Sequence, residues 1–376
     1  VNDIRPFTVS FPASALADLH ARLTSTRWPD AECVEDWSQG MPLGYAKELA
    51  AYWADEYDWR DREARLNRWP QFRTEIDGLD IHFIHQRSTH DDAFPLLMTH
   101  GWPGSVFEFH KVVEPLVAPT AHGGRPEDAF HVICPSLPGY GFSGKPTATG
   151  WGVDRIADAW DKLMLRLGYQ RYGAQGGDWG AMVTAQVGRN QRHCVAIHTN
   201  MPIARPPEGG FGDLSASDQR ALAALAHYEK WESAYAKQQM TRPQTIGYAL
   251  TDSPVGQMAW IVEKFCAWTD CNGHPENAVS RDEMLDTVML YWLTASATSS
   301  ARLYWESFDS TAGGRVEVPT GIAAFPAEII RTPRSWCETA YNVTRWTEMP
   351  CGGHFAALEQ PALFVEDVRA FFTDHR

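Results

Sequence analysis

The chain has 376 residues, 44% of them hydrophobic, enough to bury a large core and far more than a small disulfide-stapled scaffold contains. A formal net charge of -14, with Lys and Arg scattered rather than clustered, excludes the basic footprint of a nucleic-acid-binding protein and favours a neutral or cationic small molecule as ligand. Seven cysteines without a Cys-x-x-Cys pair argue against a disulfide framework or a structural zinc, and no run approaches the roughly 20 apolar residues of a membrane helix. The first residues, Val1 to Phe7, have neither the basic start nor the apolar stretch of a signal peptide, so a soluble, cytoplasmic protein with no membrane anchor is expected.

Residues 1–72 are rich in Trp, Arg and Pro and helical where periodic, over Ser14–Leu23 and Leu43–Tyr57. They are expected to form an N-terminal lead segment, without a strand of its own, packed on the core and on a lid. Arg73–Ile76 and Asp80–His85 flank Asp77-Gly78, a hairpin signal, and Phe94–Thr99 and Phe130–Cys134 are short apolar runs of the buried-strand type. Val153–Leu167 repeats apolar residues at helical spacing. Tyr172–Gln175, Val195–His198, Gly321–Phe325 and Val343–Trp346 are weaker strand candidates, and Pro361–Phe372 is a closing helix. Alternating strands and helices predict an α/β architecture, a mostly parallel sheet covered on both faces. That alternation stops after Pro202–Gly212 and resumes near Thr320. The expected division is therefore core over 73–203 and 320–376, interrupted by a helical lid insertion over 204–319.

Three motifs carry chemistry. Gly176-Gly177-Asp178-Trp179-Gly180 stands between a strand and a helical stretch and has the form Gly-x-nucleophile-x-Gly, whose small residues permit a sharp turn that lifts the central side chain out of the sheet. Taken alone, Asp178 is equally well read as an N-cap for the helix behind it. His100-Gly101-Trp102-Pro103-Gly104 follows a buried strand. It is placed to supply half of an oxyanion hole through the Trp102 N–H, the Trp179 N–H supplying the other half. His100 itself can also be an ordinary buried histidine. Gly352-Gly353-His354-Phe355 comes last, where the chain order nucleophile, acid, histidine places the base, and His354 is the best of fourteen histidines for it.

Assembled, these motifs resemble the epoxide hydrolases of the microsomal type, members of the α/β-hydrolase fold, over nearly the whole chain. The resemblance extends to Thr26-Arg27-Trp28-Pro29, to Leu137 through Ser143, and in the insertion to Thr251 through Gly256 and Glu263-Lys264-Phe265. Lacking the hydrophobic anchor of the membrane-bound animal members at its start, the chain looks like a soluble bacterial or fungal-type relative. The resemblance implies epoxide and water as substrates and a vicinal diol as product. Asp178 would open the ring to form an ester, which water activated by His354 would hydrolyse. Phe325-Pro326-Ala327-Glu328 resembles the segment of the supporting acid, so Glu328 is chosen, with Glu306 and Asp309 as runners-up. Two lid tyrosines supply donors to the epoxide oxygen in this family, and the matching positions are Tyr235 and Tyr304. Tyr228, seven residues earlier on the same helix face, competes with Tyr235.

The Trp and Tyr content favours an apolar, aryl-substituted epoxide, and the family's uses include detoxification, juvenile hormone turnover and antibiotic tailoring. No metal and no cofactor are expected, and a second copy of the chain, as a homodimer, is a candidate partner. The competitors are a dehalogenase, which needs a halide-binding group instead of paired phenols, and a silent ligand receptor, which would have lost members of the Asp, Glu and His set. A serine esterase is excluded by Asp178 itself.

Overall fold

A left-handed backbone at two successive residues makes the tightest feature of the sheet. Asp77 and Gly78, with φ of 51° and 82°, join β2 (Gln71–Ile76) to β3 (Leu79–Gln86), the combination that a two-residue hairpin turn requires. The computed structural model describes residues 3–190, 192–208, 210–212, 214–307 and 314–376. The later strands are β4 (Phe94–Thr99), β5 (Phe130–Pro135), β6 (Tyr172–Gly176), β7 (Cys194–Thr199), β8 (Val316–Ala324) and β9 (Tyr341–Glu348). β3 pairs antiparallel with β5, and every pair from β5 to β9 is parallel.

The reading of the lead segment as strandless is corrected by β1 (Arg5–Phe7), which pairs antiparallel with β2 and extends the sheet to nine strands in the order β1-β2-β3-β5-β4-β6-β7-β8-β9. Three residues are too few to show an alternation, and this strand exists because β2 offers it an edge. β8 begins at Val316 rather than Gly321. Pro319 lies inside it, where the register against β9 shifts, and the proline hides the strand from a pattern reading.

Helices cover both faces. Val153–Arg166 turns Ile156, Trp160, Leu163 and Met164 inward, and the Trp160 indole N–H donates to Thr99 Oγ1 at 3.1 Å, on the strand that feeds the site. Pro361–Phe372 covers the other face, where Phe372 packs against Phe94 and Phe130. Between β7 and β8 the described chain is helical: Ala216–His227, a π-helical turn at Tyr228–Glu232, Ala234–Thr241, Pro243–Asp252, Pro254–Trp268, Arg281–Leu293 and Ala297–Ser307. The lead helices Leu43–Asp55 and Trp59–Leu66 pack on this block, and Arg62 forms a buried ion pair with Asp286 while the Tyr57 hydroxyl donates to the same carboxylate at 2.7 Å.

β4 lies between β5 and β6, so the chain leaves β4 toward one neighbour and returns beside the other. Such a switch point opens a crevice at the carboxyl ends of the strands. Thr99 at the end of β4 is in register with Gly176 at the end of β6, which brings the His100–Gly104 loop beside the Asp178 turn.

Candidate active site

Asp178 has φ of 52°, a left-handed conformation that costs a side chain of this kind of order 1 kcal/mol or more and persists only where packing imposes it. The surroundings impose it. A Cβ on Gly176 would strike the Gly180 carbonyl, one on Gly180 the Thr99 carbonyl, and one on Gly101 the Asp178 side chain. The turn is therefore crowded from below and from the facing loop, and the carboxylate projects at the end of the sheet. Asp178 Oδ1 accepts the Trp102 N–H at 2.7 Å. Of the two expected amide donors, Trp102 reaches the carboxylate, whereas the Trp179 N–H forms no hydrogen bond to it.

His100 ties the loop down. Its Nε2 accepts the Leu137 N–H at 3.2 Å and its Nδ1 donates to the Gly101 carbonyl at 3.0 Å, and burial depresses its pKa to about 4, so it stays neutral. The Leu137–Ser143 turn thereby joins the loop to the helix that carries Tyr304, since Ser299 donates to the Gly139 carbonyl at 2.6 Å.

His354 Nδ1 lies 2.6 Å from Glu328 Oε1 and its Nε2 lies 3.3 Å from Asp178 Oδ2. The carboxylate and the imidazole of this pair come from different loops, Glu328 from the one after β8 and His354 from the one after β9. An isolated bridge between Ala327 and Gly353 holds those loops together. Glu328 Oε1 also accepts the Ile329 N–H at 2.7 Å, while the buried Oε2 has no partner among the described residues. Burial opposes protonation of His354, but Glu328 and Asp178 outweigh it and hold the imidazole pKa well above its ordinary value. Glu306 is elsewhere, accepting the Gly150 N–H at 2.9 Å, and Asp309 lies outside the described residues.

Both tyrosines stand over the surroundings of Asp178. The Tyr235 ring stacks on Trp102 with centroids 4.9 Å apart, and the Tyr304 ring meets Trp179 edge-on at 4.7 Å. The two rings are 6.0 Å apart, and the Tyr304 side chain is buried. Burial pushes both phenols well above the usual tyrosine range, so both are protonated donors. Tyr228 is in the same cluster, its hydroxyl 3.0 Å from that of Tyr235.

Sequence reasoning missed the frame around His354. The His354 N–H donates to the Trp268 carbonyl at 2.9 Å, the Trp268 ring packs edge-on against the imidazole, Asp270 accepts the Gly352 N–H at 3.0 Å, and Glu359 accepts the Phe355 and Asp270 N–H groups, each at 2.9 Å. Only the run Glu263-Lys264-Phe265, just upstream of Trp268, pointed toward this region. Among the described residues no group of His, Cys, Asp and Glu is arranged to hold a metal, and no helix is long and apolar enough to cross a membrane.

A mostly parallel sheet with an acidic side chain raised on the turn after a central strand, facing a histidine from the last loop, defines a hydrolase of the α/β-hydrolase fold. A model described as "alpha/beta hydrolase fold" matches residues 95–237, and one described as "Epoxide hydrolase N terminus" matches residues 4–109. The chain is 55% identical to a Stigmatella aurantiaca protein provisionally described as an epoxide hydrolase, covering 99% of this chain and 86% of that one, and 38% identical to epoxide hydrolase 1 of Sus scrofa, covering 98% and 88%. The solved epoxide hydrolase of Aspergillus niger superimposes with a TM-score of 0.91 at 35% identity, covering 100% of this chain and 97% of that one. The chain belongs to the epoxide hydrolases of the microsomal type. It is an epoxide hydrolase, an enzyme acting on ether bonds.

Proposed function

We propose that this enzyme opens its epoxide through a covalent ester on Asp178. The observation that carries the reading is His354, whose two ring nitrogens face Glu328 at 2.6 Å and Asp178 at 3.3 Å. A carboxylate oxygen of Asp178 attacks a ring carbon, the carbon–oxygen bond breaks, and its electron pair goes to the epoxide oxygen, which takes a proton from a phenol of the Tyr235 and Tyr304 pair. The ester carbonyl then lies against the Trp102 N–H, with the Trp179 N–H as the second donor once charge develops on that oxygen.

Esterification removes one of the two anions that raise the His354 pKa, so the imidazole becomes a base only after the ester has formed. Water adds to the ester carbonyl carbon. One of its protons passes through His354 to the departing oxygen of the diol, and the other, left on the regenerated carboxyl, restores the phenol. Glu328 holds the imidazole tautomer and stabilises the cation.

The aromatic setting of Trp102, Trp179, Trp268, Tyr235 and Tyr304 supports an apolar, aryl-substituted epoxide as substrate. The helical insertion between β7 and β8 acts as a lid carrying the phenols, and the lead segment ahead of β2 braces it. Turning over both enantiomers of styrene oxide once in heavy-oxygen water tests the reading. Label in the Asp178 carboxylate is the expected result, and label found in the diol alone would end it.

A further inference from the structure

Lysine is among the residues least often buried, because its ammonium loses hydration that little in a core can replace. Lys264 is only 6% exposed. It lies on the helix Pro254–Trp268, whose Trp260, Lys264 and Trp268 recur every four residues and so share one face. That face meets the helix Ala234–Thr241, where Tyr235 and Gln239 also stand four residues apart, and the Trp260 indole donates to Gln239 Oε1 at 3.2 Å. The pairing sets the Lys264 ammonium 4.7 Å from the centre of the Tyr235 ring and 5.7 Å from that of Trp268, the indole that packs on His354. Glu263 is the ammonium's ion-pair partner.

The two phenols are thus unequal. Tyr235 has a cation over its ring and a second hydroxyl, that of Tyr228, 3.0 Å from its own. Among the described residues no cation lies over the Tyr304 ring. A phenol that surrenders its proton becomes an anion with charge spread into the ring. An ammonium against the ring face attracts that anion more strongly than the neutral phenol, and the low dielectric of the site enlarges the difference.

We propose that Lys264 is a positioning residue that makes Tyr235, rather than Tyr304, the phenol that gives its proton to the epoxide oxygen. Tyr304 then contributes a hydrogen bond and keeps its proton. The inference rests on the reading of Tyr235 as a donor in ring opening.

The test is the single-turnover rate of ester formation, followed by tryptophan quenching with styrene oxide, in Lys264→Met, Lys264→Arg, Tyr235→Phe and the double variant Tyr235→Phe/Lys264→Met. Lys264→Met is expected to slow ester formation about thirtyfold, the size of a desolvated cation–ring contact, while ester hydrolysis and KM change little. Lys264→Arg, which keeps the cation, should return to within about threefold of the wild type. In the Tyr235→Phe background the Lys264→Met change should have no further effect, because no phenolate remains to be stabilised. Should Lys264→Met fold poorly, Glu263→Gln/Lys264→Met removes the orphaned carboxylate and takes its place. Equal slowing by Met and Arg, or independent multiplication of the Tyr235 and Lys264 effects, would overturn the inference and leave Tyr235 a donor. Wild-type ester formation in Tyr235→Phe would overturn both.

Discussion

His354 Nδ1 and Glu328 Oε1 stand 2.6 Å apart although they come from loops after different strands, and both side chains are buried. This contact fixes which imidazole nitrogen faces Asp178. The pair is therefore expected to serve ester hydrolysis and not ester formation.

His354→Gln should still form the ester and fail to release it. Mixed with epoxide, the variant should gain one substrate mass on intact-protein spectrometry, and Glu328→Gln should slow the same step less completely. Steady turnover by His354→Gln at the wild-type rate would remove this residue from the reaction. Glu306→Gln, at a carboxylate that accepts the Gly150 N–H, should leave hydrolysis unchanged.

In the proposed reaction Tyr235→Phe and Tyr304→Phe would each remove a donor to the epoxide oxygen, a loss worth about 2.7–4 kcal/mol at comparable oxyanion sites. Ester formation should slow more than substrate binding weakens, with Tyr235→Phe the larger effect and the double variant nearly inactive. Stopped-flow tryptophan quenching reads this directly. Unchanged rates in all three variants would mean that other groups protonate the oxygen.

The folded chain holds the His354 pKa above its ordinary value, so folding binds a proton that the unfolded chain gives up. The stability this adds is fully present below the unfolded histidine pKa of about 6.5 and is lost as the pH rises through the folded value. Melting temperature should accordingly fall on going alkaline from that point. His354→Gln should flatten that part of the curve, and parallel curves for the two proteins would show that the resting imidazole is neutral.

Arg62 and Asp286 join the lead segment to the helix Arg281–Leu293, with side chains 6% and 1% exposed. Removing the arginine alone strands a buried carboxylate, which costs about 3–5 kcal/mol, less whatever the Tyr57 hydroxyl retains. Arg62→Met should lower the denaturant midpoint sharply. The pair Arg62→Met/Asp286→Leu should recover most of the loss, since an apolar pair of similar volume avoids the desolvation of both ions. Equal destabilisation by the single and double variants would make the contact one of shape rather than charge.

Local rules in the sequence determined much of this molecule. Asp77-Gly78 demands a hairpin turn because two left-handed residues fit nothing else so well, and Gly176 precedes Asp178 because the Gly180 carbonyl of the same turn fills the space where a side chain would be. Positions of that kind are legible because the constraint acts within a few residues. β1 and the first half of β8 were not, since a three-residue edge strand and a proline-interrupted one depend on the partner strand for their hydrogen bonds. The same distinction separates the site residues. Asp178 and His354 stand in Gly-rich turns whose composition marks them. The 2.6 Å contact that selects Glu328, the phenol cluster of Tyr228, Tyr235 and Tyr304, and the buried ammonium of Lys264 over one of those rings arise between segments far apart in the chain. Only the assembled core could decide these, because which side chain of one segment meets which side chain of another is not written in either segment alone.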